Sequence, residues 1–181
     1  MPTPNVSDAE YLVLTTCQSI IRSNLGAVLT EIETEQPSLG FTLDRPKSES
    51  VEVGDIRGVW PLSYPCFRFL VSSTEYDESI SMGKTDAHMR LLLRIYVQNV
   101  ERSSAEHNSL SVLHKKAVLY NQAARRVIER DLLPGNGATG VWKVRTQTNR
   151  YLEPVDLEKR RGIVHISETI FIVSQRVLLS C

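Results

Sequence analysis

Ala87-His88-Met89-Arg90-Leu91-Leu92-Leu93-Arg94-Ile95-Tyr96-Val97-Gln98 decides the fold. Ala87, Met89, Leu91, Leu93, Ile95 and Val97 form one side of an alternation, and His88, Arg90, Arg94, Tyr96 and Gln98 form the other, broken only by Leu92. A period of two sustained this long is a half-buried β-strand, one face packed and one face wet. At about 3.3 Å per residue it reaches roughly 40 Å, long for a small domain. The next residues change period. Ser103-Ser104-Ala105-Glu106 has the form of a capping box, and Leu110, Leu113, Ala117, Tyr120, Ala124, Val127 and Ile128 then make the stripe of an amphipathic helix over 103–130. Arg130 suits its C-terminal dipole, and Pro134, Gly135 and Gly137 stop it.

Upstream of the long strand, Phe67, Phe69 and Val71 alternate against Cys66, Arg68 and Leu70, which predicts a strand over 65–72 opened by Pro65. Residues 73–86 form a polar connection with Glu75, Asp77, Glu78 and Asp86 against one Lys84, so the two strands make an antiparallel hairpin with a long acidic tip. Ser7 to Glu10 is a second capping box. Leu12, Val13, Cys17, Ile20, Ile21, Leu25, Val28, Leu29 and Ile32 follow at helical spacing, predicting a helix over 8–35 with Gly26 inside it. Glu31, Glu33 and Glu35 crowd its C-terminal end, as a solvated last turn or as an acidic contact surface. Residues 36–64 are punctuated by Pro37, Gly40, Pro46, Gly54, Gly58 and Pro61, with short strands expected at 41–43 and 51–53. This segment reads as an extended irregular insertion that packs on a neighbour. Downstream, 141–148 alternates moderately, 149–162 is a loop or projecting hairpin, and 163–175 is a strand rich in β-branched residues on both faces. The fold class is therefore α+β: an antiparallel or mixed sheet of about four main strands with two long helices packed on one face, in a single domain over 1–181.

Composition bounds the function. The chain has 181 residues, of which 41% are hydrophobic and 23% charged, and 21 basic residues balance 21 acidic ones. No global field attracts nucleic acid or an anionic membrane, and low colloidal repulsion suits a subunit of an assembly. Cys17, Cys66 and Cys181 are too few and too scattered for a disulfide framework or a zinc site, and they suit a reducing cytoplasm. No membrane span is expected, and residues 1–5 lack the form of a signal peptide.

Little in the chain resembles chemistry. Gly135-Asn136-Gly137-Ala138-Thr139-Gly140 follows a helix and precedes a strand, the reverse of a phosphate-binding context. Cys66 with His88 or His165 is the one nucleophile–base combination, but Cys66 sits among apolar strand residues, and both histidines fall on the more polar strand positions, where surface imidazoles are the common case. His107 and His114 are two helical turns apart, too far to chelate one metal unaided. No cofactor, metal or catalytic residue is assigned. One charge pattern does call for a partner. The first hairpin tip is acidic, while the second hairpin region carries Lys143, Arg145, Arg150, Lys159, Arg160 and Arg161 against Glu153, Asp156 and Glu158. Opposite charge on two projecting loops suits a head-to-tail ring; the alternatives are two independently solvated loops, or a basic loop that faces nucleic acid in a channel, for which Lys159, Arg160 and Arg161 are a small cluster without aromatic interleaving.

The organisation resembles a family. A long N-terminal helix precedes Cys66-Phe67-Arg68-Phe69-Leu70-Val71. An acidic loop leads into Met89-Arg90-Leu91-Leu92-Leu93-Arg94-Ile95-Tyr96-Val97, a helix runs over 110–128, and Ile163-Val164-His165-Ile166-Ser167 opens a last strand through Val173. In element order and pattern, over residues 9–175, this resembles the tail terminator (tail completion) proteins of long-tailed bacteriophages; residues 36–64 are longer than the compact members need. The resemblance implies a structural virion protein, assembled in the host cytoplasm and located in the virion tail or neck. Its homo-oligomer would be a hexameric ring that caps the tail tube protein, ends polymerisation and joins a neck or connector protein. It would engage a sheath protein if the tail is contractile, and DNA would pass through the lumen without sequence recognition. Glu75, Asp77, Glu78, Arg145, Arg150, Arg160 and Arg161 are the expected intersubunit residues. A different head–tail connector (adaptor or stopper) and a small cysteine-dependent hydrolase are the competing readings.

Overall fold

The computed structural model describes residues 6–54, 60–61, 63–77, 83–99, 106–132, 140–157 and 162–178. In chain order the elements are α1 (Val6–Glu35), a single 3-10 turn at Ser48–Ser50, β1 (Val51–Val53), β2 (Cys66–Tyr76), β3 (Lys84–Asn99), α2 (Glu106–Asp131), β4 (Val141–Tyr151), β5 (Val155–Leu157) and β6 (Gly162–Leu178). The sheet order is β1-β2-β3-β6-β4, with β5 continuing the line of β4 along the same edge of β6. Only β1 and β2 are parallel; every other pair is antiparallel. This is the expected α+β architecture, with a mixed sheet of six strands of which four are long.

The alternation in β3 sets the two faces. Ala87, Met89, Leu91, Leu93, Ile95 and Val97 are all buried under the helices. Phe67 and Phe69 join them from β2, and Phe171, Val173 and Val177 from β6. From above come Val13, Cys17, Ile21, Leu25, Val28 and Leu29 of α1, and Ala117, Tyr120, Ala124, Val127 and Ile128 of α2, so one hydrophobic cluster runs through both layers. By length and composition α1 is apolar enough to cross a membrane over Asp8–Glu35, yet its apolar stripe is the side buried on the sheet.

Several expectations change. The strands run further than the alternation predicted: β2 continues to Tyr76 through a bulge between Val71 and Ser73, and β3 begins at Lys84, so half of the polar connection is paired sheet. The capping residues Ser7 and Ser103 do not reveal their caps, since the side chain of the first and all of the second lie outside the described residues. No strand forms at 41–43, whereas β1 does form at 51–53. The described part of the insertion packs on its own chain. Leu43 is buried, its N–H donates to Glu33 Oε1 at 2.8 Å, and Tyr120 OH donates to the Asp44 carbonyl at 2.9 Å.

Pairing also places the two hairpin tips. Because β3 and β6 pair from Lys84↔Leu178 to Asn99↔Ile163, the β2–β3 tip and the β4–β6 tip leave opposite ends of the sheet. The 16 residues of β3 separate them by roughly 50 Å.

Candidate assembly surface

Both long helices cover one face of the sheet. On the other, Trp60 and Tyr64 pack over Cys66, Tyr96 and Val164 at the end away from the β2–β3 tip, and no described helix or strand covers the rest. Register assigns this outer face Arg68 and Glu75 of β2, His88, Arg90, Leu92 and Arg94 of β3, Ile170, Ile172 and Arg176 of β6, and Lys143, Arg145 and Arg150 of β4. Leu70, Leu92 and Ile170 lie in one row across three strands, half-buried by the side chains flanking them.

The cations on this face fall into two groups. Arg68 meets Glu52 at 2.5 Å, Arg94 meets Glu168 at 2.5 Å, and Arg176 meets Asp86 at 2.9 Å. Arg90, Lys143, Arg145 and Arg150 have no carboxylate partner among the described residues. Arg90, Lys143 and Arg145 instead surround a concavity of about 420 Å³, with Glu75, His88 and Trp142 also on its wall. His88 is tied down on both nitrogens: Nδ1 is 2.9 Å from Ser174 Oγ and Nε2 is 3.1 Å from Asp77 Oδ2. Trp142 stands edge-on to the His88 ring at 6.5 Å and stays 44% exposed.

The expected contact residues divide accordingly. Glu75 and Asp77 are exposed at the β2–β3 end, and Arg145 and Arg150 are exposed on β4. Glu78, Arg160 and Arg161 lie outside the described residues. Arg145 does not belong to the second tip. It sits opposite Ile172 and shares the concavity with Glu75. Sequence reasoning missed Arg90 and Trp142. Arg90 was visible as an outward residue of β3, but only register shows that it has no acid opposite it.

Apolar exposure concentrates on the same side of the molecule. Of seven exposed large hydrophobic side chains among the described residues, Trp142, Tyr151, Leu152 and Val155 lie along the β4–β5 line. That line is an open edge, because β4 and β5 pair only with β6. The opposite side of the sheet is open in part. β1 pairs only with Phe67, Arg68 and Phe69, so no described strand lies beside β2 from Val71 to Tyr76.

The hydrolase residues do not assemble among the described side chains. Burial pushes the Cys66 thiol up to about 12, and the nearby Glu52 charge adds to the effect. Cys66 pairs with Tyr96, whereas His88 stands eight residues along β3, roughly 26 Å away. His165, expected as a surface imidazole, is buried on the inner face beneath α2. Its Nε2 lies 2.7 Å from His114 Nδ1, the rings stack at 5.0 Å, and Tyr151 stands edge-on to both. Burial, and then the neighbouring His114, hold the His165 pKa below the ordinary imidazole value. No group of three or more metal-ligating side chains occurs among the described residues.

No protein-family model matches the chain. No curated protein matches it either. Among solved structures, a chain described as "Virion of native gene transfer agent (GTA) particle" is similar at 10% sequence identity and a TM-score of 0.48, over 94% of this chain and 97% of that one.

Proposed function

We propose that this chain is a structural virion protein of the tail terminator kind: a ring-forming subunit that caps the tail tube, ends its growth and joins tail to neck. The resemblance in element order supports the role. The observation that carries it is the outer sheet face around the β2–β3 end, where among the described residues no helix or strand covers the sheet, Arg90, Lys143 and Arg145 lack carboxylate partners beside an exposed Trp142, and β4 and part of β2 carry no neighbouring strand. A monomer with a finished surface neutralises such cations and blunts such edges. A subunit leaves them for its neighbours. In this reading the chain is not an enzyme, and Cys66 is a small core residue. Partners are further copies of itself, the tube protein, a neck or connector protein and, in a contractile tail, the sheath. DNA passes through the lumen unread.

Negative-stain imaging of the purified protein mixed with tail tubes tests this. The expected result is a ring at one end of each tube and arrested elongation. A monomer that leaves both tube ends bare overturns the proposal, and rings that bind portal assemblies instead of tubes replace it with an adaptor or stopper role.

A further inference from the structure

We infer that neighbouring copies join by continuing the sheet: β4 of one copy pairs antiparallel with the open stretch of β2, Val71–Tyr76, of the next. The inference rests on the ring reading above and names the surface that closes the ring. The direction of the strands allows it. β2 and β4 are the outermost long strands, and three successive antiparallel steps, β2 to β3, β3 to β6 and β6 to β4, leave them antiparallel to each other. A translated second copy therefore presents its β2 edge to β4 in the orientation of an antiparallel pair, with the helices of both copies on the same side.

Charge selects this pairing. The outward side chains on the upper part of β4 are Lys143 and Arg145, both exposed and both without a carboxylate partner among the described residues. The outward side chain at the corresponding height of β2 is Glu75, with exposed Asp77 just beyond the strand. Both groups occupy the same end of the sheet: the row through Glu75 continues through His88 and Ser174 to Lys143. Edge-to-edge addition without a change of height sets Glu75 of one copy opposite Lys143 of the next and Arg145 opposite Ser73, one step from Glu75; the pairing ends at Thr146, beyond which β1 already occupies the edge of β2 at Phe67–Phe69. Such cross-strand opposite charges attract, and like charges directly opposite repel. Main-chain hydrogen bonds along the added strand would supply the affinity and these side chains the specificity. The contact is heterologous, so its repetition gives a ring where the rotation between copies closes.

Two variants and their mixture test this, read by sedimentation velocity in free solution and by imaging on tail tubes. One carries Lys143→Glu and Arg145→Glu; the other carries Glu75→Lys and Asp77→Lys. All four side chains are exposed, and unchanged circular dichroism and melting confirm folding. Each variant alone is expected to self-associate at least about tenfold more weakly than wild type. An equimolar mixture is expected to recover assembly, because reversed β4 then meets reversed β2 while the remaining edges stay complementary. Wild-type rings with variants that assemble equally well, or with a mixture that stays apart, overturn the sheet-continuation contact and leave the ring reading standing. A Glu75→Lys, Asp77→Lys protein that assembles while the β4 variant does not means that β4 meets β4 or another protein, and also overturns it. A wild type that is monomeric throughout and absent from tube ends overturns both.

Discussion

Truncating two adjacent leucines of β3 separates the packed face from the bare one. Leu93 is fully buried, flanked in the sheet by Phe69 and Thr169 and roofed by the helices. Leu92, one residue earlier, points to the outer face between Leu70 and Ile170 and is only half-buried. Leu93→Ala removes three carbons from a dry site. At about 0.8 kcal/mol per methylene the transfer loss is about 2.4 kcal/mol. The paired strands on both sides keep the void from closing, which adds about 1 to 2 kcal/mol, so the total is about 3 to 4 kcal/mol. Leu92→Ala removes the same atoms from a site already partly wet, and its void opens to water, so about 1 kcal/mol is lost at most. For a chain of 181 residues this corresponds to melting points lowered by roughly 6 to 16 °C for Leu93→Ala and by at most roughly 4 °C for Leu92→Ala. Urea and thermal unfolding followed by circular dichroism measure it, at concentrations low enough that self-association contributes nothing. Equal losses at the two positions would refute the two-faced reading, because they require the outer face to be packed within the chain.

Three further outcomes follow from the same geometry. Burial, and then the neighbouring His114, hold the His165 pKa below the ordinary imidazole value, so the unfolded chain takes up its proton first as the pH falls. The stabilisation is then complete above that ordinary value and is lost as the pH drops through it toward the folded pKa; urea midpoints at pH 7.5, 6.5 and 5.5 should fall for wild type and flatten for His165→Gln, and an unmoved wild-type midpoint refutes the assignment. Asn121 donates to Thr169 Oγ1 at 2.6 Å inside the α2–β6 seam, so Asn121→Leu should cost about 1 to 3 kcal/mol by removing the donor to Ser167 and to the Thr169 hydroxyl, which keeps only its own bond to Asn149, measurable in the same melts. Cys17 and Cys66 are buried with raised thiol pKa values, so iodoacetamide at pH 8 should leave both unmodified in the native protein and label both in denaturant, as read by mass spectrometry.

The elements that bury an apolar face were legible, because burial writes its period into the chain. β3, β2 and both helices fall in this class, their inward residues being Leu, Ile, Val, Phe and Ala. β4 and β6 were read as strands too, and β6 as a covered one, but which side of β6 faces inward was not, for a physical reason. The inward side of β6 carries His165, Ser167, Thr169 and Gln175, all buried, because part of the seam under α2 is a hydrogen-bonded polar network and not a hydrocarbon one. Asn121, Thr169 and Asn149 form one chain of that network, and Arg125 with Thr146 and Glu129 forms another. A buried polar side chain whose partner lies 20 to 50 residues away looks, in one dimension, like a solvated one. The charge pattern suffered from the same blindness. Acidic and basic stretches were visible, but whether a given Arg is neutralised depends on its cross-strand neighbour: Arg94 has Glu168 opposite, while Arg90 has Ile172.

That distinction explains why the open edges take the charges they do. A bare β4 edge carrying Trp142 on one side and a free backbone on the other is a template for indiscriminate pairing, including with a second β4. Lys143, Arg145 and Arg150 along it make the symmetric β4–β4 contact repulsive, and Glu75 and Asp77 do the same for β2–β2. A two-fold dimer sealed by either edge is thereby disfavoured, and the one edge contact left attractive is β4 with β2, which is heterologous and cannot terminate after two copies. In the proposed contact, the cations that guard β4 against itself are also the ones that choose its neighbour.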